Sequence, residues 1–161
     1  MKVQDVMTKE VSFCDPGTNA GVAAEIMWTK NCGALLVVED GRVAGIVTDR
    51  DLFIALGTNS RSAGDLQVGA LMGREVSFCA PGDDVRTALQ TMAQQRVQRL
   101  PVVDAAGSLK GILSIEDIAL RTGTDGLSNE DVLTTMNAIW DRQVQHRTRE
   151  VGRSVPRRAA A

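Results

Sequence analysis

The chain has 161 residues, 43% of them hydrophobic and 24% charged, with a formal net charge of −2; this is the composition of a folded globular protein of one domain or two small fused units, and it excludes disordered and fibrous classes. Aromatic residues make up 3%, with no tyrosine, which argues against a stacking platform for single-stranded nucleic acid. The longest apolar stretch, around Leu35 to Val38, is far short of the roughly 20 residues that span a bilayer. Met1–Glu10 carries Lys2, Asp5, Lys9 and Glu10 and no apolar h-region, so no secretory signal is expected and the reading is cytoplasmic.

In chain order, Glu10–Cys14 (EVSFC) reads as a short strand that ends at Pro16-Gly17, which a central strand does not continue through. Thr18 is the expected N-cap of a helix whose apolar side is Val22, Ala23, Ile26 and Met27. The apolar run Ala34–Glu39, the turn Glu39-Asp40-Gly41 and the returning run Val43–Val47 predict a β-hairpin. A second helix is expected from Thr48-Asp49 to Leu56, and Leu56–Leu66, rich in Gly, Ser and Asn, reads as a linker.

The same grammar then recurs. Val3–Thr18 and Val68–Asp83 are identical at 9 of 16 positions at an offset of 65, and the register continues through Ala23/Ala88, Met27/Met92, Leu35/Leu100 and Val37-Val38/Val102-Val103. One inserted residue near Ala106 then aligns Gly45-Ile46 with Gly111-Ile112 and Asp51 with Asp117, and Gly57 and Gly123 close the two units. In the second copy Asp83 or Asp84 is the expected cap, Val85, Ala88, Leu89 and Met92 form the helical stripe, Leu100–Asp104 and Leu109–Leu113 the hairpin, and Ser114 to Leu120 the last helix. One such unit is marginal alone, so the two should pack face to face about a pseudo-twofold axis. The predicted fold class is α/β (α+β), two repeats of strand-helix-strand-strand-helix order plus a C-terminal helix. The expected segments are 1–57, a linker at 58–67, 68–123, and a C-terminal helix and basic tail at 124–161.

That last helix opens on a capping box, Ser128-Asn129-Glu130-Asp131, and carries Val132, Leu133, Met136, Ile139, Trp140 and Val144 at helical spacing. Its apolar stripe either packs back on the module or pairs with another chain. Trp28 and Trp140 are candidate interface anchors. Residues 1–140 hold 12 Lys and Arg against 18 Asp and Glu, net −6, whereas residues 141–161 hold six Arg against Asp141 and Glu150, net +4. Arg147, Arg149, Arg153, Arg157 and Arg158 offer a contact for nucleic acid or an acidic partner, but a solvated, frayed end is the simpler reading.

Catalysis has little to draw on. The single histidine, His146, lies in that charged tail, and Cys14, Cys32 and Cys79 show no C-x-x-C spacing, so neither a His-based triad, a zinc site nor a disulfide framework is expected. Cys14 and Cys79 stand at equivalent strand ends, where a redox pair is conceivable and a small buried hydrophobe is the plainer reading.

The paired runs Gly45-Ile-Val-Thr-Asp-Arg-Asp51 and Gly111-Ile-Leu-Ser-Ile-Glu-Asp117, each behind a hydrophobic hairpin and each unit opening on Met7-Thr8 or Met72-Gly73, resemble tandem cystathionine-beta-synthase (CBS) domains, the pair called a Bateman module. The resemblance covers about residues 1–123. It implies a regulatory ligand-sensing module, not an enzyme, that requires no cofactor. Such a module binds adenosine nucleotides (AMP, ADP, ATP, or else NAD or S-adenosylmethionine) in clefts between the repeats, senses energy state and signals to a protein partner that the sequence does not identify. It also implies a homodimer lined by the second helices, with no membrane or nucleic-acid role. The adenine maps onto Val11-Ser12, Val76-Ser77, Gly33-Ala34 and the segment Gln98, Arg99, Leu100 and Pro101. Thr48 and Ser114, at strand-to-helix junctions, offer a hydroxyl and free N–H groups to phosphate, and Asp51 and Asp117 can accept from a ribose diol. Asp49 and Arg50 flank the first motif and Glu116 occupies the place of Arg50 in the second, where it would repel phosphate unless Arg99 or Arg121 reaches across. On that ground the Thr48–Asp51 cleft is expected to be the better nucleotide site. A Thr or Ser followed by Asp at a helix start is equally a plain cap, and a scaffold that dimerises independently of ligand is the alternative function.

Overall fold

A computed structural model of the chain describes residues 1–123 and 127–151, with the side chains of 142–151 excepted; the proposed role of the arginine-rich end and of His146 lies outside the described side chains. A 3-10 turn, Val3–Asp5, precedes β1 (Phe13–Cys14), α1 (Ala20–Lys30), β2 (Ala34–Glu39), β3 (Arg42–Thr48) and α2 (Asp49–Thr58). The second unit follows as α3 (Val68–Leu71), α4 (Val85–Gln95), β4 (Arg99–Val103), β5 (Leu109–Ser114) and α5 (Ile115–Ala119), and α6 (Asn129–Val151) closes the described chain.

In the first unit β1 pairs parallel to β2 and β2 antiparallel to β3. In the second, β4 and β5 form the hairpin, and the counterpart of β1 shrinks to one parallel bridge between Cys79 and Val102. The predicted strand Glu10–Cys14 is therefore strand only at its last two residues. Residues 10–12 instead border the cleft described below. Both hairpins fall where the sequence places them, because largely apolar runs of five to seven residues broken by Asp40-Gly41 or by Gly107 have one compact solution. Gly41 and Gly107 adopt φ of +76° and +82° at the turns, which favours glycine.

The caps differ in detail from expectation. Asn19, not Thr18, caps α1, its side chain accepting from the Val22 N–H at 2.9 Å, while the Thr18 hydroxyl accepts from the Asp15 N–H. Asp84 caps α4 by accepting from the Arg86 N–H at 2.9 Å. Ala23 and Met27 of the predicted α1 stripe are buried, but Val22 is exposed and Ala20 takes its place inward.

The decisive feature is an exchange of opening segments. Val3 and Val6, from the start of the chain, are buried in the core of the second unit with Val85, Ala88, Leu89, Met92, Leu100 and Leu113. Leu66, Val68 and Met72, which open the second unit, are buried in the core of the first with Ala23, Leu35, Val37, Val47 and Leu52. Matching hydrogen bonds fix both crossings. Val3 N donates to Asp83 O and Gln4 N to Pro81 O, each at 3.0 Å, while Val68 N donates to Thr18 O and Gly69 N to Pro16 O, each at 2.8 Å. Thr8 then exchanges two backbone bonds with Ile112, both at 2.9 Å, and Gly73 exchanges two with Ile46 at 2.9 and 3.1 Å.

These crossings explain the glycine that opens each motif. A Cβ at Gly111 would lie 2.7 Å from Thr8 O and 2.9 Å from the Met7 sulfur; at Gly45 it would lie 2.5 Å from the Met72 sulfur and 2.8 Å from Gly73 O. A side chain at either position would lever the two units apart.

The C-terminal helix packs back on the module. Ser128 and Asp131 form the predicted capping box, with bonds of 2.9 to 3.1 Å, and Val132 and Ile139 are buried against α4 and α5. Leu133 and Trp140, from the same stripe, are left 57% and 43% exposed. Among the described residues no helix is long and apolar enough to cross a membrane.

Gly111→Ala is expected to lower unfolding free energy in urea by about 1–3 kcal/mol, the range for forcing atoms into a filled site. Gly82→Ala, whose Cβ would meet nothing within 4 Å, should stay within about 0.5 kcal/mol.

Candidate ligand-binding cleft

Because the opening segments cross, each unit's pre-strand residues face the other unit's strand-to-helix junction. The Thr8–Ile112 pairing brings Val11 and Ser12 beside Ser114, and the Gly73–Ile46 pairing is its pseudo-symmetric counterpart. The first of these arrangements encloses a cavity of about 380 Å³. It is lined by Thr8, Glu10, Val11, Ser12, Lys30, Asn31, Cys32, Gly33 and Ala34 from the first unit and by Arg99, Ile112, Ser114 and Asp117 from the second. That volume falls within the range of small-molecule sites.

Of the residues proposed from sequence, Val11, Ser12, Gly33, Ala34, Arg99, Ser114 and Asp117 therefore come together around one space. Leu100 and Pro101 do not line it. Leu100 is fully buried in the second core, Pro101 is buried beside it, and the Pro101 carbonyl accepts from the Cys79 N–H at 3.1 Å. Arg50 is exposed on α2 and does not line the cavity, and Glu116 borders a different one, beneath α6. Thr8, Glu10, Lys30, Asn31, Cys32 and Ile112 are lining residues that the motif reading missed. Most stand within a few positions of residues it named, so proximity in sequence was the available signal, but the crossing that aims them across the domain was not.

The two Ser/Thr-Asp motifs are built alike. Asp51 Oδ2 accepts from Thr48 N at 2.9 Å and from Thr48 Oγ1 at 2.7 Å, and Asp51 N donates to Thr48 Oγ1 at 3.2 Å. Asp117 Oδ2 accepts from Ser114 N at 3.0 Å and Ser114 Oγ at 2.6 Å, and Asp117 N donates to Ser114 Oγ at 3.1 Å. The hydroxyls thus already work as caps, so the plain-cap reading holds for the chain as it stands. A carboxylate has about four lone-pair sites, so two accepted bonds still leave Asp117 capacity for hydroxyls in the cavity. Asp49 is exposed, its Oδ1 accepting from Arg50 N at 2.7 Å, and its backbone N–H donates to Gly33 O at 3.1 Å. The equivalent bond in the second unit runs from Ile115 N to Gln98 O at 2.9 Å.

The cavity wall carries charges of both signs, Arg99 and Lys30 beside Glu10 and Asp117. Arg99 reaches across to Glu116 at 3.4 Å, which offsets the acidic side chain that the sequence places where phosphate would be repelled. The two side chains are 35% and 57% exposed, so the pair is worth no more than about 1 kcal/mol and gives way readily to a stronger anion. Lys30 adds a second cation at the cavity wall. The equivalent of Arg99 in the first unit is Ala34. Arg99 thus lines this cavity, whereas Arg50 is exposed and does not.

The cysteines occupy different environments. Cys14 and Cys79 are buried, and burial with Asp15 and Asp83 nearby raises both thiols, that of Cys79 to about 12. Cys32 is partly exposed at the cavity. Among the described residues no three His, Cys, Asp or Glu side chains gather where they could hold a metal ion. A thiolate reagent at neutral pH should modify Cys32 first in the native chain and all three cysteines only after unfolding, as mass spectrometry would show.

Comparison with known proteins agrees with this architecture. The CBS domain family model matches twice, at residues 3–58 and 68–121. The CBS domain-containing protein YhcV of Bacillus subtilis is 34% identical over 137 residues, covering 85% of this chain and 94% of that protein. An inosine-5'-monophosphate dehydrogenase of Thermoplasma acidophilum is 32% identical over 119 residues, 73% of this chain but 23% of the enzyme; the similarity is confined to a minor part of that protein. Among solved structures, the CBS domain pair of protein MJ0100, in complex with 5'-methylthioadenosine and S-adenosyl-L-methionine, superposes with a TM-score of 0.67 at 26% identity, covering 74% of this chain and 94% of that one. The doubled motif, the crossed opening segments and these matches together place the chain in the CBS-domain family, as a pair of CBS domains.

Proposed function

We propose that this CBS pair is a regulatory, non-enzymatic sensor that binds an adenosine nucleotide in the cleft between Val11-Ser12, Gly33-Ala34 and Ser114–Asp117. The observation that carries the reading is the single cavity of about 380 Å³ in which apolar and backbone groups of one repeat face Arg99, Ser114 and Asp117 of the other. A purine suits the wall formed by Val11 and Ala34, a ribose diol suits Asp117, and phosphate suits Arg99 and Lys30. That a relative's CBS pair was crystallised with two adenosine derivatives supports the same ligand class. The helix after Ser114 is only five residues long, so the side-chain cations, more than a helix dipole, would supply the attraction for phosphate. For the pseudo-symmetric site that the sequence assigns to Thr48, Asp51, Val76, Ser77 and Gln98, Ala34 stands in the place of Arg99, and we propose that it is the weaker phosphate site, the opposite of the ranking expected from Arg50.

Calorimetry and thermal shift with AMP, ADP, ATP, NAD and S-adenosylmethionine test the proposal. A ligand at 100 times its Kd adds about 2.7 kcal/mol, and at this chain length the midpoint should rise by about 5–10 °C. Asp117→Ala is expected to weaken binding about 10- to 100-fold, the value of hydrogen bonds to a charged group. Arg99→Ala should weaken nucleotides while sparing adenosine itself. Absence of any shift with protein purified free of nucleotide would favour the alternative, a ligand-independent scaffold.

A second observation supports self-association. Trp28, Phe53 and Ile54 are 87%, 78% and 52% exposed on α1 and α2, an apolar display that a monomer rarely leaves open. We read it as the contact of a cytoplasmic homodimer. Phe53→Glu should convert a dimer to a monomer in sedimentation, and a wild-type chain that sediments as a monomer with and without nucleotide refutes this contact.

A further inference from the structure

The two repeats differ in one connected set of residues, and that set joins the cleft to the only described helix outside the repeat. Arg99 lines the ligand cavity and pairs with Glu116. Glu116, in turn, borders a second, apolar cavity of about 130 Å³ enclosed between α5 and α6, where it meets Met136, Ile139 and Trp140. The counterparts of Arg99 and Glu116 in the first repeat are Ala34 and Arg50, so the ionic link occurs in the repeat that carries α6. The seat of α6 is also incompletely filled. Ile139 is buried and anchors it, while Trp140 is left 43% exposed above the void. A small displacement at the start of α5 can therefore be taken up beneath α6 without a clash, which a close-packed contact would resist.

We propose that α6 is the output element of the cleft, switched by competition for Arg99. An anionic ligand and Glu116 cannot both hold the guanidinium at full strength. The exposed pair is the weaker partner, and a phosphate offers charge-assisted, two-point hydrogen bonding. When a phosphate takes Arg99, Glu116, whose side chain is already 57% exposed, loses the ion pair that ties the start of α5 to β4 beside the α5–α6 cavity. The α5–α6 contact then rearranges, and the surface around Trp140 and Leu133 changes with occupancy. An uncharged nucleoside, which leaves Arg99 on Glu116, occupies the cleft without moving α6. This inference rests on the reading of the cleft as a nucleotide site and adds to it the route by which occupancy leaves the site.

The test uses the full chain, with Trp140 emission taken as the difference from a Trp140→Phe chain, so that Trp28 stays in place at the proposed dimer contact. AMP and ATP are titrated with calorimetry and Trp140 fluorescence read in parallel, with adenosine as the uncharged control. The expected result is a shift in Trp140 emission that follows the calorimetric saturation curve for AMP and ATP and is missing for adenosine. Glu116→Gln should abolish that shift and tighten nucleotide binding about two- to fivefold, the worth of the competing pair. Hydrogen exchange of the α6 amides in the unsubstituted chain, expected to change with AMP, gives the same answer without any variant. Calorimetric binding with a silent Trp140 and unchanged α6 exchange would overturn the coupling alone, as would a full response in Glu116→Gln. No calorimetric binding of AMP or ATP would overturn the cleft reading and the coupling with it.

Discussion

The structure depends on the exchange of opening segments between the repeats. Thr8 on Ile112 and Gly73 on Ile46 are each two backbone hydrogen bonds long, but they seat Val3 and Val6 in one core and Val68 and Met72 in the other. Neither repeat completes its core from its own residues. A unit of this size buries too little surface to stand well alone, and crossing the segments converts two marginal cores into one cooperative body. The requirement that Gly45 and Gly111 lack a Cβ follows directly, since the invading backbone occupies that space.

The same crossing creates the cleft. Thr8 is bonded to Ile112 of the second unit, while Ser12, four residues on, is back on the first, its carbonyl accepting from Leu36 N at 3.3 Å. The connection between them passes beside Ser114 and Asp117, so one wall comes from each repeat and any ligand between them touches both. Such a site is suited to sensing, because occupancy bears on the relative placement of two units and not on one loop. The Asp-Ser capping boxes at the cleft are already satisfied internally, which keeps the wall in place before any ligand arrives and limits the ordering cost of binding.

The pseudo-symmetry is broken where the chain departs from simple duplication. Arg99 replaces the small Ala34, Glu116 replaces Arg50, and α6 covers α4 and α5 of the second unit, while the matching helices of the first leave Trp28 and Phe53 in the open. The repeat that carries Arg99 and Glu116 is thus also the one on which α6 packs, and the other repeat leaves Trp28 and Phe53 exposed.

The duplication, the two hairpins, the helix starts at Thr48 and Ser114 and the capped C-terminal helix were legible in the amino-acid sequence, because each is set by local chemistry: turn residues between apolar runs, hydroxyl and carboxylate caps, and period-3.6 stripes. The family resemblance rested on the same local motifs. What the sequence left open was long-range. Nothing local reveals that the opening segment of one repeat belongs to the core of the other, so the pairing of Val11 and Ser12 with Ser114 and Asp117 emerged from the fold. The burial of Leu100 and Pro101 and the reach of Arg99 to Glu116 emerged with it. Residues adjacent in sequence, such as Arg50 and Asp51, were separated in role because a helix turns successive side chains to different faces. Only tertiary contact decided which charges face the cavity and which face water.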